Sequence, residues 1–221
     1  MTARSMTPGI LSSNSIIPCA MTVDQLAGGR AGTLVFAGIS FTLAPGEAIV
    51  LRGANGCGKS TLLRTLAGLL RPFDGQINFS PQTTEGNLEI PAQMTVLVGH
   101  TNGLKATMTV RESINYWMRL YEAAEGADKQ AIDRLRLGDL LSRRTSTLSA
   151  GQKRRLGLSR LLICNRPIWL MDEPTSSLDT ATSTMVLDMM DTHLDAGGAI
   201  VAATHEPLEL ARAEKFVLEA A

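Results

Sequence analysis

The run Glu47-Ala48-Ile49-Val50-Leu51, followed closely by Gly53-Ala54-Asn55-Gly56-Cys57-Gly58-Lys59-Ser60-Thr61, decides how the rest of this chain is read. The first five residues are short and mostly apolar, which predicts a strand. Gly53 to Ser60 fits G-x-x-x-x-G-K-[ST]. Leu62, Leu63, Leu66, Leu69 and Leu70 then share one stripe, which predicts a helix stopped by Pro72. A strand, a glycine loop and a helix in this order suit phosphate. The glycines let successive backbone N–H groups curl around an anion, and the helix N-terminus adds a favourable field. Lys59 is placed to reach β- and γ-phosphates, and the Ser60 hydroxyl to ligate Mg2+. The plain alternative is an ordinary glycine-rich turn, and the flanking strand and helix argue against it.

Upstream, Thr33 to Leu43 (TLVFAGISFTL) alternates as a half-buried strand does, and Pro45-Gly46 makes a turn. Downstream, Asp74-Gly75 is read as a turn into Gln76–Phe79. A loop rich in Thr, Gly and Pro follows, and Met94 to Val98 reads as a buried strand. The pattern then becomes helical. Ile114, Trp117, Met118 and Tyr121 share a face, and Ile132, Leu135, Leu137, Leu140 and Leu141 continue the apolar theme. A helix after Leu148-Ser149 carries Leu156, Leu158, Leu161 and Leu162 and is expected to end at Pro167. Strands return at Ile168–Met171 and Ala199–Ala203, with a helix from about Thr180 to Leu194 between them. Strand, crossover helix, strand implies an α/β fold with a parallel sheet. The helical block at about 103–160 reads as an insert into it. There is no internal repeat and no heptad pattern.

Three further segments carry chemistry. Ile168-Trp169-Leu170-Met171-Asp172-Glu173 is an apolar strand ending in carboxylates. It would deliver Asp172 to a Mg2+ shell at the C-terminal edge of the sheet, where open α/β sheets bind ligands. Glu173, one residue on, is positioned to polarise an attacking water. Leu148-Ser149-Ala150-Gly151-Gln152 starts a helix with Ser149 as N-cap, again an anion-binding end. His205 follows a strand at the same edge, where a phosphate contact is the expected role. Ser177-Leu178-Asp179 has a simpler reading as the cap of the next helix.

Composition removes several classes. The 221 residues are 44% hydrophobic and 19% charged, so a sizeable core is available and disorder is excluded as the main state. Lys+Arg and Asp+Glu each number 21, which removes the electrostatic footprint of a dedicated nucleic-acid binder. Cys19, Cys57 and Cys164 are scattered and fit neither a disulfide framework nor a zinc site, which points to a reducing compartment. No apolar run approaches the roughly 18 residues of a membrane span. Residues 1–20 are rich in Ser, Thr and Pro with Arg4 as the sole charge. They are expected to be a disordered leader, with a transit peptide or a true start at Met21 as alternatives.

In combination and in order, these residues resemble the ATP-binding-cassette (ABC) ATPases from about Val23 to the C-terminus. The resemblance implies a RecA-like P-loop core with an antiparallel β flank and an inserted helical subdomain, all in one domain over 21–221. It implies a homodimer sandwiching two ATP molecules with Mg2+. Gly53–Thr61 would be the Walker A loop, and Ser149, Gly151 and Gln152 the signature facing the other protomer's ATP. Asp172 and Glu173 would be the Walker B pair, Asp179 the D-loop residue and His205 the switch histidine. Lys59, Glu173 and His205 would be the catalytic group.

Gly99-His100, Lys105, Met108-Thr109-Val110-Arg111-Glu112, LSAGQKRRL, RPIWLMDEP and GGAIVAATHEPL look like the ATPase subunits of the cytochrome c maturation (Ccm) haem-export systems. That family implies integral membrane partners and a peripheral site on the cytoplasmic face of the inner membrane, or the matrix side in a mitochondrion. Its hydrolysis is linked to haem export or to release of haem from its chaperone. The chain departs from the family twice. His100, then Thr101, stands where cassettes carry the Q-loop glutamine, and Ala27-Gly28-Gly29-Arg30 lacks the adenine-stacking aromatic, leaving the Arg30 guanidinium to stack on the base.

Two other functions fit the cassette: the ATPase of a different transporter, or a soluble cassette ATPase acting on chromosomes or ribosomes. The roughly 90 residues between Lys59 and Ser149 hold no coiled-coil insert, and the neutral charge disfavours nucleic acid. A catalytically dead module is opposed by the intact set Lys59, Asp172, Glu173 and His205.

Overall fold

The computed structural model describes residues 16–80, 91–176, 178–208, 210 and 212–218. Two sheets share one central helix. The first sheet is antiparallel, in the order β2 (Thr33–Leu43), β1 (Ala20–Arg30), β4 (Asp74–Ser80). The second is wholly parallel, in the order β5 (Thr95–Val98), β6 (Ile168–Asp172), β7 (Ala199–Ala203), β3 (Ala48–Arg52), β8 (Ala213–Val217).

Alternation along the parallel strands explains the layering. Ile49, Leu51, Ile168, Leu170, Ala199 and Val201 face α1 (Lys59–Leu66) and the antiparallel sheet. Val50, Trp169, Met171, Ile200 and Ala202 face the opposite way. There they pack among α3 (Val110–Leu120), α4 (Ala127–Arg134), α5 (Ala150–Cys164) and α6 (Thr180–Asp195). With both faces covered, the inner strands read as nearly continuous apolar runs. A short α2 (Pro91–Met94) precedes β5.

Local sequence sets most boundaries, with four departures from expectation. Helix α1 does not run to Pro72. It closes at Leu66, Gly68 takes φ 71°, and Leu69 is left 66% exposed. A glycine in the left-handed region ends a helix before any proline is needed. Likewise α5 ends at Cys164 because Asn165 adopts φ 45°, two residues short of Pro167. Asp74-Gly75 lies inside β4 instead of making a free turn. Gly75, at φ 83°, sits against the Asp24 and Gln25 backbone where β1 bulges. The fourth concerns the leader: Cys19 is buried and Ala20 pairs with Ser80, so ordered structure reaches back past residue 21. Most of the Thr, Gly and Pro-rich loop falls in 81–90, and Ser177 and residues 1–15 also lie outside the described residues.

The helical block at 103–160 contains α3 and α4 and closes with most of α5. Thr109 caps α3 reciprocally: its hydroxyl accepts from the Glu112 N–H (3.1 Å), and Glu112 accepts from the Thr109 N–H (2.7 Å). These two hydrogen bonds hold the Glu112 carboxyl below its usual range. Among the described residues, no helix is long and apolar enough to cross a membrane.

Candidate functional site

All five strands of the parallel sheet run the same way, so their C-terminal ends form one edge. Leu51 and Asp172 both pair with Ala203, and Val98 pairs with Met171. The loops after β3, β5, β6 and β7 therefore meet there, which is where crevices of open α/β sheets take ligands. A cleft of about 530 Å³ opens at this edge, lined by Arg30, Val35, Asn55, Gly56, Gly58, Lys59, Ser60, Thr61, His100, Asp172, Glu173 and His205.

Residues 53–58 carry the chain from β3 into α1. Gly58, at φ 107°, is the α1 N-cap, and a Cβ there would lie 2.6 Å from Val35 Cγ1. Glycine is thus required both by conformation and by space. No side chain caps this end, and the Leu62 N–H bonds back to Gly58 O at 2.8 Å. The N–H groups before it are those that a helix leaves without intrahelical partners, which makes this end an anion cradle. Lys59 is buried. Its ammonium donates to Gly53 O (2.8 Å) and Ala54 O (3.0 Å), folding back over the loop, and lies 3.9 Å from Cys57 Sγ.

The strand ends supply the other groups. The Ser60 hydroxyl donates to Asp172 Oδ2 at 2.8 Å, so the two residues expected at Mg2+ stand together although 112 positions apart. A hydroxyl beside a carboxylate is a hard oxygen pair of the kind that would suit Mg2+. Glu173 takes φ 51°, uncommon for a residue with a Cβ, and its N–H donates to Ala203 O at 2.8 Å. Its Oε2 accepts from Thr204 Oγ1 (3.0 Å) and the His205 N–H (3.4 Å), and His205 Nε2 lies 3.8 Å from Oε1.

Several expected residues lie off this cleft wall. Ser149 does cap α5, in a reciprocal pair with Gln152: Ser149 Oγ accepts from the Gln152 N–H (3.2 Å), and Gln152 Oε1 accepts from the Ser149 N–H (3.0 Å). Asp179 caps α6, accepting from the Thr182 N–H at 2.7 Å, the main cause of its lowered pKa. Ser149, Gly151, Gln152 and Asp179 are not among the described residues lining the cleft with Lys59. His100 lines it, and also lines a smaller cleft of about 230 Å³ shared with Asn102, Ala150, Lys153, Arg154, Glu173 and Ser176.

Two residues of the site escaped the sequence reading. Thr204, with no solvent exposure, orients the Glu173 carboxylate. Arg154 is a buried arginine whose guanidinium donates to four oxygens: Gly99 O (2.8 Å), Asn102 Oδ1 (3.3 Å), Asp172 O (3.0 Å) and Glu173 O (2.8 Å). Along the chain it is one of three consecutive basic residues, Lys153-Arg154-Arg155, and no sequence signal sets it apart from its neighbours.

The profile of the ABC transporter family matches residues 36–176. This chain belongs to the ABC transporter family. The ATPase is 45% identical over 193 residues to the cytochrome c biogenesis ATP-binding export protein CcmA of Rhodobacter capsulatus, covering 87% of this chain and 84% of that protein. Against the same-named protein of Ruegeria pomeroyi the figures are 45% over 190 residues, 86% and 87%. Against that of Rhizobium johnstonii they are 39% over 200 residues, 89% and 93%. Among solved structures, the ATP-binding subunit of an ABC transporter superposes with TM-score 0.74 at 25% identity, over 84% of this chain and 79% of that one. An ATP-bound bacterial Atm1-family exporter shares the fold, with TM-score 0.78 at 24% identity over 92% of this chain and 38% of its own. The ATPase is thus an ATP-hydrolysing, ABC-type enzyme.

Proposed function

We propose that this ATPase is the hydrolytic subunit of an ABC complex for c-type cytochrome biogenesis, coupling ATP hydrolysis to haem export or to release of haem from its chaperone. The observation that carries the reading is 39–45% identity to CcmA proteins over most of both chains. On this reading the protein works as a homodimer on the cytoplasmic face of the inner membrane, bound to integral membrane subunits. In a mitochondrion the corresponding face would be the matrix side.

The chemistry follows from the cleft. ATP phosphates enter the glycine loop, and Lys59 exchanges the Gly53 and Ala54 carbonyls for β- and γ-phosphate oxygens. Ser60 and Asp172 would hold Mg2+, which neutralises charge on the phosphates. Glu173 accepts the proton of the attacking water while Thr204 fixes the carboxylate and His205 stands beside it. Ser149 and Gly151, away from the cleft wall of their own chain, face the nucleotide of the second protomer. Arg30 and Val35 take the place of an adenine-stacking aromatic. His100 replaces the Q-loop glutamine, since an imidazole donates one hydrogen bond and accepts another.

The test is complementation with co-purification in a strain lacking its own cytochrome c biogenesis ATPase. The wild-type chain is expected to restore cytochrome c and to co-purify with the haem-pathway membrane subunits, whereas Lys59→Ala restores nothing. Recovery with an unrelated permease, without restored cytochrome c, overturns the assignment. In the same strain His100→Gln is expected to work and His100→Ala to bind nucleotide yet fail in maturation.

A further inference from the structure

Arg154, Gly157 and Arg160 recur every three residues along α5 and so form one stripe. The chain leaving β5 lies directly on it. Arg154 Nη1 donates to Gly99 O and Asn102 Oδ1, at 2.8 and 3.3 Å. A Cβ on Gly157 would come within 2.8 Å of Asn102 Oδ1 and 3.0 Å of its Cβ, so Asn102 packs against bare helix backbone. Arg160 Nη2 donates to Asn102 O at 3.2 Å, and its guanidinium lies over Trp117 at 5.4 Å. The other arm of Arg154 turns to the active edge, where Nη2 donates to Asp172 O (3.0 Å) and Glu173 O (2.8 Å).

A guanidinium is a rigid planar fork, so whatever its two arms hold is fixed in relative position. Here one arm holds the loop containing His100, and the other holds the backbone that carries the candidate Mg2+ ligand and general base. The helix bearing the fork begins at Ser149. Burial pulls the Arg154 pKa down to about 10, with the Asp172 and Glu173 carboxylates working against that shift, so the group stays charged at neutral pH. Burying such a charge is costly unless its donors are used, and four are.

We infer that Arg154 is a positioning residue that joins the capped end of α5 to the Asp172-Glu173 backbone, so that the two move as one body. The inference rests on the reading above, in which that end of α5 meets the second protomer's nucleotide while Asp172 and Glu173 serve the chain's own. Arg154 then links the two ATP sites of the dimer. Occupying one site sets the geometry of the other, and hydrolysis becomes cooperative in ATP.

The experiment uses the full-length chain and three proteins: wild type, Arg154→Lys and Arg154→Gln. Lysine keeps the charge but has no fork. Glutamine keeps a donor without charge. Turnover is measured against Mg-ATP concentration, alongside binding of a non-hydrolysable ATP analogue. The wild type is expected to give a Hill coefficient above one. Both variants are expected to fall to about 1, with kcat about tenfold lower and analogue affinity within about twofold of wild type. An unchanged Hill coefficient in folded Arg154→Lys overturns the inference. So does a non-cooperative wild type, or failure of both variants to fold, which would make Arg154 a residue that only holds the fold. The underlying dimer reading is scored separately, by sizing Glu173→Gln with Mg-ATP. A monomer there removes the sandwich itself, whereas a dimer with unaltered cooperativity in Arg154→Lys removes only the link.

Discussion

Thr204 Oγ1 donates a 3.0 Å hydrogen bond to Glu173 Oε2 from a side chain with no solvent exposure, joining the ends of two neighbouring strands. A carboxylate that must face a water molecule gains from such a tether, because a loose side chain spends much of its time misdirected. Hydrogen bonds to charged groups contribute about 1.5–3 kcal/mol. Thr204→Val keeps the shape and removes the donor, so kcat is expected to fall about tenfold or more while KM moves little. Thr204→Ser, which keeps the hydroxyl, should stay within about twofold of wild type. Equal turnover in the valine variant would reduce Thr204 to a packing residue.

The α5 end is expected to act on the neighbouring protomer. Lys59→Ala and Ser149→Arg should each be inactive alone. Mixed, they are expected to form heterodimers holding one doubly damaged site and one intact composite site. ATPase activity in the mixture is expected to rise well above either parent. Heterodimers that form, shown by differential tagging, yet stay inactive would count against action in trans.

Cys57 lies within the phosphate loop, its Sγ 3.9 Å from the Lys59 ammonium, where any adduct would occupy phosphate space. Alkylation of the folded protein is expected to abolish turnover, Mg-ATP to protect, and Cys57→Ser to remove the sensitivity. Both thiols are buried, so the comparison rests on place: Cys57 sits in the loop that nucleotide would enter, whereas desolvation pushes the Cys164 thiol up to about 11 and holds it in the unreactive form. Mass mapping that finds the label on Cys164 and none on Cys57 would refute this.

His193 predicts a pH dependence of stability. Its ring stacks on Trp169 at 3.8 Å between centroids and 13° between planes, with Nε2 3.1 Å from Pro167 O. Burial lowers its pKa from 6.5 to about 4. The folded state thus prefers the neutral ring. The stability this provides is complete above pH 6.5 and is lost as pH falls toward 4, because the unfolded chain takes up the proton first. Between pH 7 and 5 the loss is on the order of 2 kcal/mol. Urea unfolding at both pH values measures it. His193→Gln, uncharged throughout, should show that much less difference between them, and an equal difference would place the titration elsewhere.

Much of this architecture is legible in the sequence because its causes are local. Glycines at 53, 56 and 58, a strand before them and a leucine stripe after them specify a phosphate loop within about twenty residues of chain. Ser149 and Gln152 make a cap because both bonds lie within one turn. Strand β7 was readable to the residue because it is one continuous apolar run. Strand β2 was too, because apolar and polar residues intermix along it, although its buried positions Phe36, Ile39 and Leu43 do not keep a strict two-residue period. Strand β1 was not, since its register shifts between Val23 and Leu26 and again through Gly29, which destroys the period-two signal.

What only the tertiary structure decided was which distant groups meet. The order β5-β6-β7-β3-β8 places the end of β7 between those of β6 and β3. That order brings Ser60 to Asp172 across 112 residues and Thr204 to Glu173 across 31. It also sets Arg154 beneath both carboxylate-bearing residues. A side chain's local sequence fixes its element and its face, but its partner depends on strand order and helix packing, which arise from the burial of the whole core. Arg154 is the clearest case: read along the chain it is one basic residue in Lys153-Arg154-Arg155, and only the packing of α5 against the sheet edge turns it inward while the exposed end of the helix remains free to meet another molecule.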